Sequence, residues 1–252
     1  MGRRRWLPAV LRWLVVAAAF ALLEVLTRGG VIPDLIFPPP TEVVRAAVDQ
    51  IPTGQFAADL ARTAETVAVA YAAGLIGGAV FGTVSWRVPV LGRVFEPYLV
   101  ALYAMPTIVF YPLLLALLGL GFGPIAVIAA VMALIPVTVN VTVALRSVAP
   151  TLPRLGRSLN CSRRQMYRHI LLPAALPLAM PGLRLGFIYA LIGTIAMEFI
   201  LADRGLGFRI GIDYRQFEGE QMWGLVVIVA FLAIVANALL SWLERRVRRD
   251  ML

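Results

Sequence analysis

The stretch LNCSRRQMYRHILLPAALPLAMPGLRLG, Leu159 to Gly186, begins with arginines and ends in prolines and glycines, yet lies between two long apolar runs. Its reading decides whether the chain is only a set of membrane rods or a set of rods with a built-in handle. Asn160 tolerates positive φ and is expected to break the chain to the left-handed region. Ser162 is placed to cap a helix from Arg163 to Ile170. Upstream, Pro150 and Pro153 open another short helix. Leu152, Leu155, Leu159, Met166, Tyr167, Ile170, Leu171 and Leu172 recur at spacings near three and four, the pattern of packed amphipathic helices. Pro173, Pro177 and Pro181 are expected to punctuate the return to the next apolar run. From Arg146 to Arg184 this makes a connection of about forty residues, far beyond ordinary loop length. A helix with Arg163, Arg164 and Arg168 on its polar side and Met166 and Tyr167 as apolar knobs has two uses. It can lie on anionic lipid headgroups, or it can enter a groove on a cytosolic partner.

Outward from this stretch the chain is 60% hydrophobic and only 15% charged over 252 residues. A soluble core of this size cannot hide that much apolar surface, so the class is an integral membrane protein. All 23 basic residues are arginine. Without lysine there is no P-loop and no Schiff-base chemistry. One histidine, His169, and one cysteine, Cys161, exclude a Cys/His zinc site and an internal disulfide. No catalytic or metal constellation is expected. The net charge of +9 comes from arginines at the ends of apolar runs, which fits membrane topology and not nucleic-acid binding.

A span needs about 20 apolar residues. Six runs qualify, giving an all-α integral membrane domain over residues 1–252 with spans at 7–26, 64–84, 97–118, 124–145, 185–202 and 222–243, and a cytoplasmic loop at 146–184. Arg12 and Glu24 sit near the ends of the first run, which is read as an uncleaved helix. With the N-terminus in the cytoplasm, seventeen arginines fall inside, Arg3, Arg4 and Arg5 among them. Only Arg28, Arg45, Arg62, Arg204, Arg209 and Arg215 fall outside. That bias places both termini inside. Between the first two spans, the prolines at 38–40 form a rigid turn. Thr41 is expected to cap a short surface helix whose apolar face is Val43, Val44, Ala47, Val48 and Ile51.

The third to fifth spans carry the polar residues that stand out within apolar runs. Tyr103, Met105, Pro106, Thr107 and Tyr111 put a kink and polar tips into the third span. Thr138, Asn140 and Thr142 give the fourth a polar stripe. Each set either lines a path or serves helix packing. Glu198 is an acid inside a span, hence a candidate by default, with an interhelical pair to Arg62 or Arg204 as the structural alternative. Gly74, Gly77, Gly78 and Gly82 are expected to permit close helix contact.

The loop then resembles the Glu-Ala-Ala loop of permease subunits of ATP-binding-cassette importers. Asn160 stands at its small-residue turn, Cys161, Ser162, Arg163, Arg164, Gln165, Met166, Tyr167, Arg168 and His169 make the nine-residue spacer, and Ile170-Leu171-Leu172-Pro173 completes the pattern. Phe37 to Pro40, the 106–121 region, Glu198 and Arg204 to Phe208 are similar as well, most of all to the nitrate/sulfonate/taurine-type branch. Two positions depart. The turn is Asn160 in place of glycine, and Arg154-Leu155-Gly156 aligns with the acidic triplet. The resemblance implies the six-helix type I importer permease fold, with Leu159 to Ile170 and Pro173 as the amphipathic coupling element. It implies a likewise membrane-bound second copy, two cytosolic ATPase subunits that hold ATP and Mg, and an external solute-binding protein. It further implies a bacterial inner-membrane location, no cofactor on this chain and a small anion as cargo. The competing reading, an ion-gradient-driven secondary transporter, would want more buried acids and an inverted repeat.

Overall fold

The computed structural model describes residues 7–249. Arg3, Arg4 and Arg5 therefore lie outside the described residues. Every regular element among the described residues is helical: α1 (Leu7–Arg28), α2 (Pro40–Gln50), α3 (Gly54–Arg87), α4 (Pro89–Ala104), α5 (Tyr111–Leu118), α6 (Phe122–Arg146), α7 (Thr151–Ser158), α8 (Arg163–Gln165), α9 (Leu172–Leu201), α10 (Leu206–Arg215) and α11 (Gly219–Arg249). A 3-10 turn, Thr107–Phe110, joins α4 to α5, and a π turn, Met166–Leu171, joins α8 to α9.

Five of these helices are long and apolar enough to cross a membrane. A sixth crossing arises only from α4 and α5 together, bent by 94°. The third rod expected at 97–118 is thus broken. Pro106 pushes Met105 into extended backbone (φ −79°, ψ 138°), since the α region is disfavoured before proline, and the helix ends there.

Three helices make the centre. Gly74, Gly78 and Gly82 on α3 lie one turn apart, and each presses on α6: against Ala133, Val137 and Val141. A Cβ at any of them would come within 3 Å of that helix. Gly182, Gly186 and Gly193 on α9 do the same against Asn140, Val137 and Ala129 of α6. Small residues let backbones approach where no aqueous hydrophobic effect exists to drive association. The expected role of the α3 glycines is met.

The expectation for the ends of the long loop is not. The helix does not stop at Ile170 and resume near Leu185. One continuous helix runs from Arg163 to Leu201, 39 residues, and Pro177 and Pro181 lie inside it. Pro173 lies in the first turn of α9, and its ring would strike the carbonyl four residues back, at His169. The chain answers by widening over Met166–Leu171 into a π turn.

The outer elements also differ in detail. Thr41 is not the cap of α2, whose N-cap is Pro39. Glu24 of α1 reaches across instead: Thr41 donates its backbone N–H (3.1 Å) and its hydroxyl (2.7 Å) to the Glu24 carboxylate, and Arg28 closes the group at 2.6 Å. Glu24 serves as a cap from another helix, at an end where negative charge is favoured. Val43 and Ala47 of α2 are buried, whereas Val44, Val48 and Ile51 remain exposed.

Candidate functional site: the two ends of α9

At the Arg163 end, the chain turns by a Schellman motif. Cys161 donates its N–H to the Gly156 carbonyl (3.0 Å) and Asn160 donates to Arg157 (3.0 Å). Asn160 takes φ 52°, so the left-handed break expected of it is present. Ser162 then caps α8 in a reciprocal box: Gln165 N–H donates to Ser162 Oγ (3.3 Å), and Ser162 N–H donates to Gln165 Oε1 (2.8 Å). Gly156 is buried directly beneath Met166 and Ile170, so the small third residue of the Arg154-Leu155-Gly156 triplet allows α7 to fold back on the π turn.

This fold-back sorts the residues of the loop. Leu155, Leu159, Asn160, Ser162, Arg163, Arg164, Gln165, Arg168, His169 and Pro173 are exposed. Cys161, Met166, Tyr167 and Ile170 are half-buried. The expected knobs therefore point inward. Tyr167 packs on Ala144, Leu145, Ala175 and Ala179, and its hydroxyl meets Thr83 at 2.9 Å. Leu155 and Leu159, read as packing residues, form the exposed apolar surface instead.

The opposite end of α9 is closed. Glu198 is 1% exposed. Its Oε2 accepts from Thr63 Oγ1 of α3 (2.8 Å) and from the N–H of Gly207 (3.1 Å). Thr63 in turn accepts from Leu206 N–H (2.8 Å), and Asp59 accepts from Gly205 N–H (3.0 Å). Gly205 adopts φ 110° and sits so close that a Cβ would strike the Glu198 carboxylate. Neither Arg62 nor Arg204 pairs with Glu198: Arg62 bonds Glu65 and Arg204 lies by Asp203. The acid is a buried anchor for the start of α10. Gly205 and Gly207 fall in the 204–208 stretch already singled out, whereas Thr63 was invisible beforehand, because its part depends on α3 meeting α9 135 positions away.

The remaining pathway candidates separate. Thr138 is buried and donates to Leu134 O, Asn140 donates to Pro136 O, and Thr142 reaches Gly82 O of α3 (3.1 Å). All three have packing partners. Tyr103 and Met105 are exposed at the bend after α4, with Thr107 half-buried beside them. Tyr103 meets Tyr189 of α9, hydroxyl to hydroxyl at 2.5 Å, and this pair bridges α4 to α9. Tyr189 carried no sequence signal of its own, being one aromatic within an apolar run.

Residues 70–251 match the family described as binding-protein-dependent transport system inner membrane component. The chain belongs to this family. Among its relatives, the riboflavin transport system permease protein RibX of Chloroflexus aurantiacus is 28% identical over 155 residues, 62% of this chain and 58% of the relative. The taurine transport system permease protein TauC of Escherichia coli K12 is 26% identical over 220 residues, 85% of this chain and 80% of the relative. The chain thus spans less than two thirds of the first and most of the second. In fold it is similar to a chain of the MetNI methionine ABC transporter in inward-facing conformations, with TM-score 0.63 and 20% identity over 76% of this chain and 93% of that one. The helices are those of an ABC importer permease, and the secondary-transporter reading is set aside.

Proposed function

We propose that this permease is one half of a homodimeric, ATP-driven importer that carries a small anion of the nitrate, sulfonate or taurine kind across the bacterial inner membrane. ATP and Mg are held by two cytosolic ATPase subunits, each seated on an α7–α8 elbow. An external binding protein delivers the solute near the α10 end, and both termini are cytoplasmic. The observation that carries this reading is the elbow's construction: exposed Arg163 and Arg164 on a capped turn continuous with a 39-residue helix. A push on α8 enters the membrane without a flexible joint. ATP can move the helices only through its differential affinity for two conformations, and a stiff elbow transmits that difference. Prolines inside α9 do not interrupt the lever.

Cargo passes between α4 and α9, beside Tyr103 and Tyr189. Their hydroxyls satisfy each other at 2.5 Å and can exchange that bond for one to an oxyanion. The relatives include a taurine permease, and taurine carries a sulfonate, which supports a cargo with an oxyanion group.

The reading is tested with Arg163→Glu/Arg164→Glu in the assembled transporter in proteoliposomes. The expected result is normal membrane insertion with uptake lowered at least about tenfold and ATPase subunits lost or uncoupled. Normal uptake with normal ATPase retention would remove the elbow from the mechanism. Tyr167 is left untouched, because its bond to Thr83 ties it to the fold.

A further inference from the structure

One cavity belongs neither to the elbow nor to the bend after α4. It opens between α3, α9 and α11, has a volume of about 340 Å³, and is walled by Ala64, Val67, Phe187, Leu191, Leu232 and Leu239 among others. The hydroxyl in its wall, Thr63, already donates to Glu198 and accepts from Leu206. The cavity therefore presents hydrocarbon only, and a polar cargo gains nothing there.

Its continuation along α11 is different. Leu232, Val235, Leu239, Trp242 and Arg246 recur at three and four, so they share one side of the helix. Leu239 is the last wall residue, Trp242 follows one turn on, and the Arg246 guanidinium lies over the Trp242 ring, 5.0 Å from its centroid. Trp242 is half-exposed, the usual state of tryptophan at headgroup level. Arg245 is exposed alongside. The adjacent acid, Glu244, faces Arg184 at 3.7 Å. From Leu232 to Arg246 the helix rises roughly 21 Å. One leaflet with its headgroup layer is about 20–22 Å thick. The groove thus offers hydrocarbon to the depth of one leaflet and positive charge at its rim.

We propose that this groove binds one anionic phospholipid, with an acyl chain between α3, α9 and α11 and the phosphate at Arg245 and Arg246. A guanidinium already oriented by an indole ring is a prepared partner for a phosphate, and each basic residue near the surface adds appreciably to the hold on an anionic lipid.

The test uses the full chain in vesicles of equal phosphatidylglycerol and phosphatidylcholine, extracted gently, with retained lipid identified by native mass spectrometry. Phosphatidylglycerol is expected to be retained in preference. Arg245→Gln/Arg246→Gln should lower that preference by roughly twenty-fold for the pair. Ala64→Trp/Ala236→Trp should fill the groove and remove both lipids alike. The glutamine pair lies at an exposed helix end, so it decides the matter even if the tryptophan pair misfolds. Equal retention of the two lipids overturns the proposal. So does a preference that survives the glutamine pair, or cross-linking from position 236 that captures α1 of a second copy in the groove.

Discussion

The two ends of α9 are built on opposite plans. At Glu198 one carboxylate oxygen, Oε2, is tied to Thr63 and Gly207, and Asp59 ties Gly205, so polar groups of three helices meet inside the molecule. At Arg163 and Arg164 they are exposed, and only the backbone beneath them is tied down. A buried polar network is costly to break and tolerates little change, whereas exposed charges contribute little to folding. One end of the helix is therefore given to holding the molecule together, and the other carries its charges at the surface. The difference teaches that burial, and not charge, separates anchor from handle along this helix.

The comparison breaks most readily at the anchor. Glu198→Leu strands Thr63 and the Gly207 N–H inside the molecule and is expected to cost about 3 kcal/mol. Gly205→Ala should do comparable damage, since φ 110° and the nearby carboxylate both oppose a side chain. Thermal unfolding in detergent checks both. An unfolding midpoint within a degree of the parent would mean that Glu198 is not an anchor.

Next in size is an effect of pH close by. Asp213 of α10 is 5% exposed, and burial raises its pKa to about 6; Arg209 pulls it down and Glu218 pushes it up, both by less. The folded chain then holds this proton more tightly than the unfolded chain, whose value is near 3.8. The stabilisation is full below about pH 4 and is lost as pH rises through about 6. Asp213→Asn should flatten the dependence of stability in that window by up to about 3 kcal/mol. Unchanged curves would show that Asp213 sits in water.

How much of this was legible beforehand follows the range of the interactions. The Asn160 turn, the Ser162 cap and the glycine ridge of α3 are local patterns, and each stands where the sequence placed it. Glu24 reaching over to Thr41 is not local: the partners are 17 positions apart, so a short polar motif was read as a self-contained cap. Proline was read as punctuation, yet α9 runs on past Pro177 and Pro181 without ending. At Pro106 the same residue type ended a helix, with Met105 before it in extended backbone. Tyr167 shows the third limit. An apolar residue on an amphipathic turn faces either a partner or its own protein, and only the position of Thr83, 84 residues earlier, decided between them.

That tyrosine joins the handle to the body, and its contribution is intermediate. Tyr167→Phe keeps the ring among Ala144, Leu145, Ala175 and Ala179 and removes one bond, a loss of about 1 kcal/mol. Thr83→Val should match it, and the double variant should lose little more than either alone, because both changes delete one shared interaction. Additive losses would mean that the two hydroxyls do not meet.

The smallest expected effect on stability sharpens the contrast most. Arg163→Ala/Arg164→Ala touches two exposed side chains for which no ion pair is found among the described residues, and should shift stability by less than about 0.5 kcal/mol. If the same variant abolishes transport, the residues matter to the machine and not to the fold. That combination is the reverse of Glu198→Leu, which should fail by unfolding. A midpoint that fell as far in the arginine variant as at the anchor would show that α8 is packed like any other part of the molecule, and the distinction between the two ends of α9 would disappear.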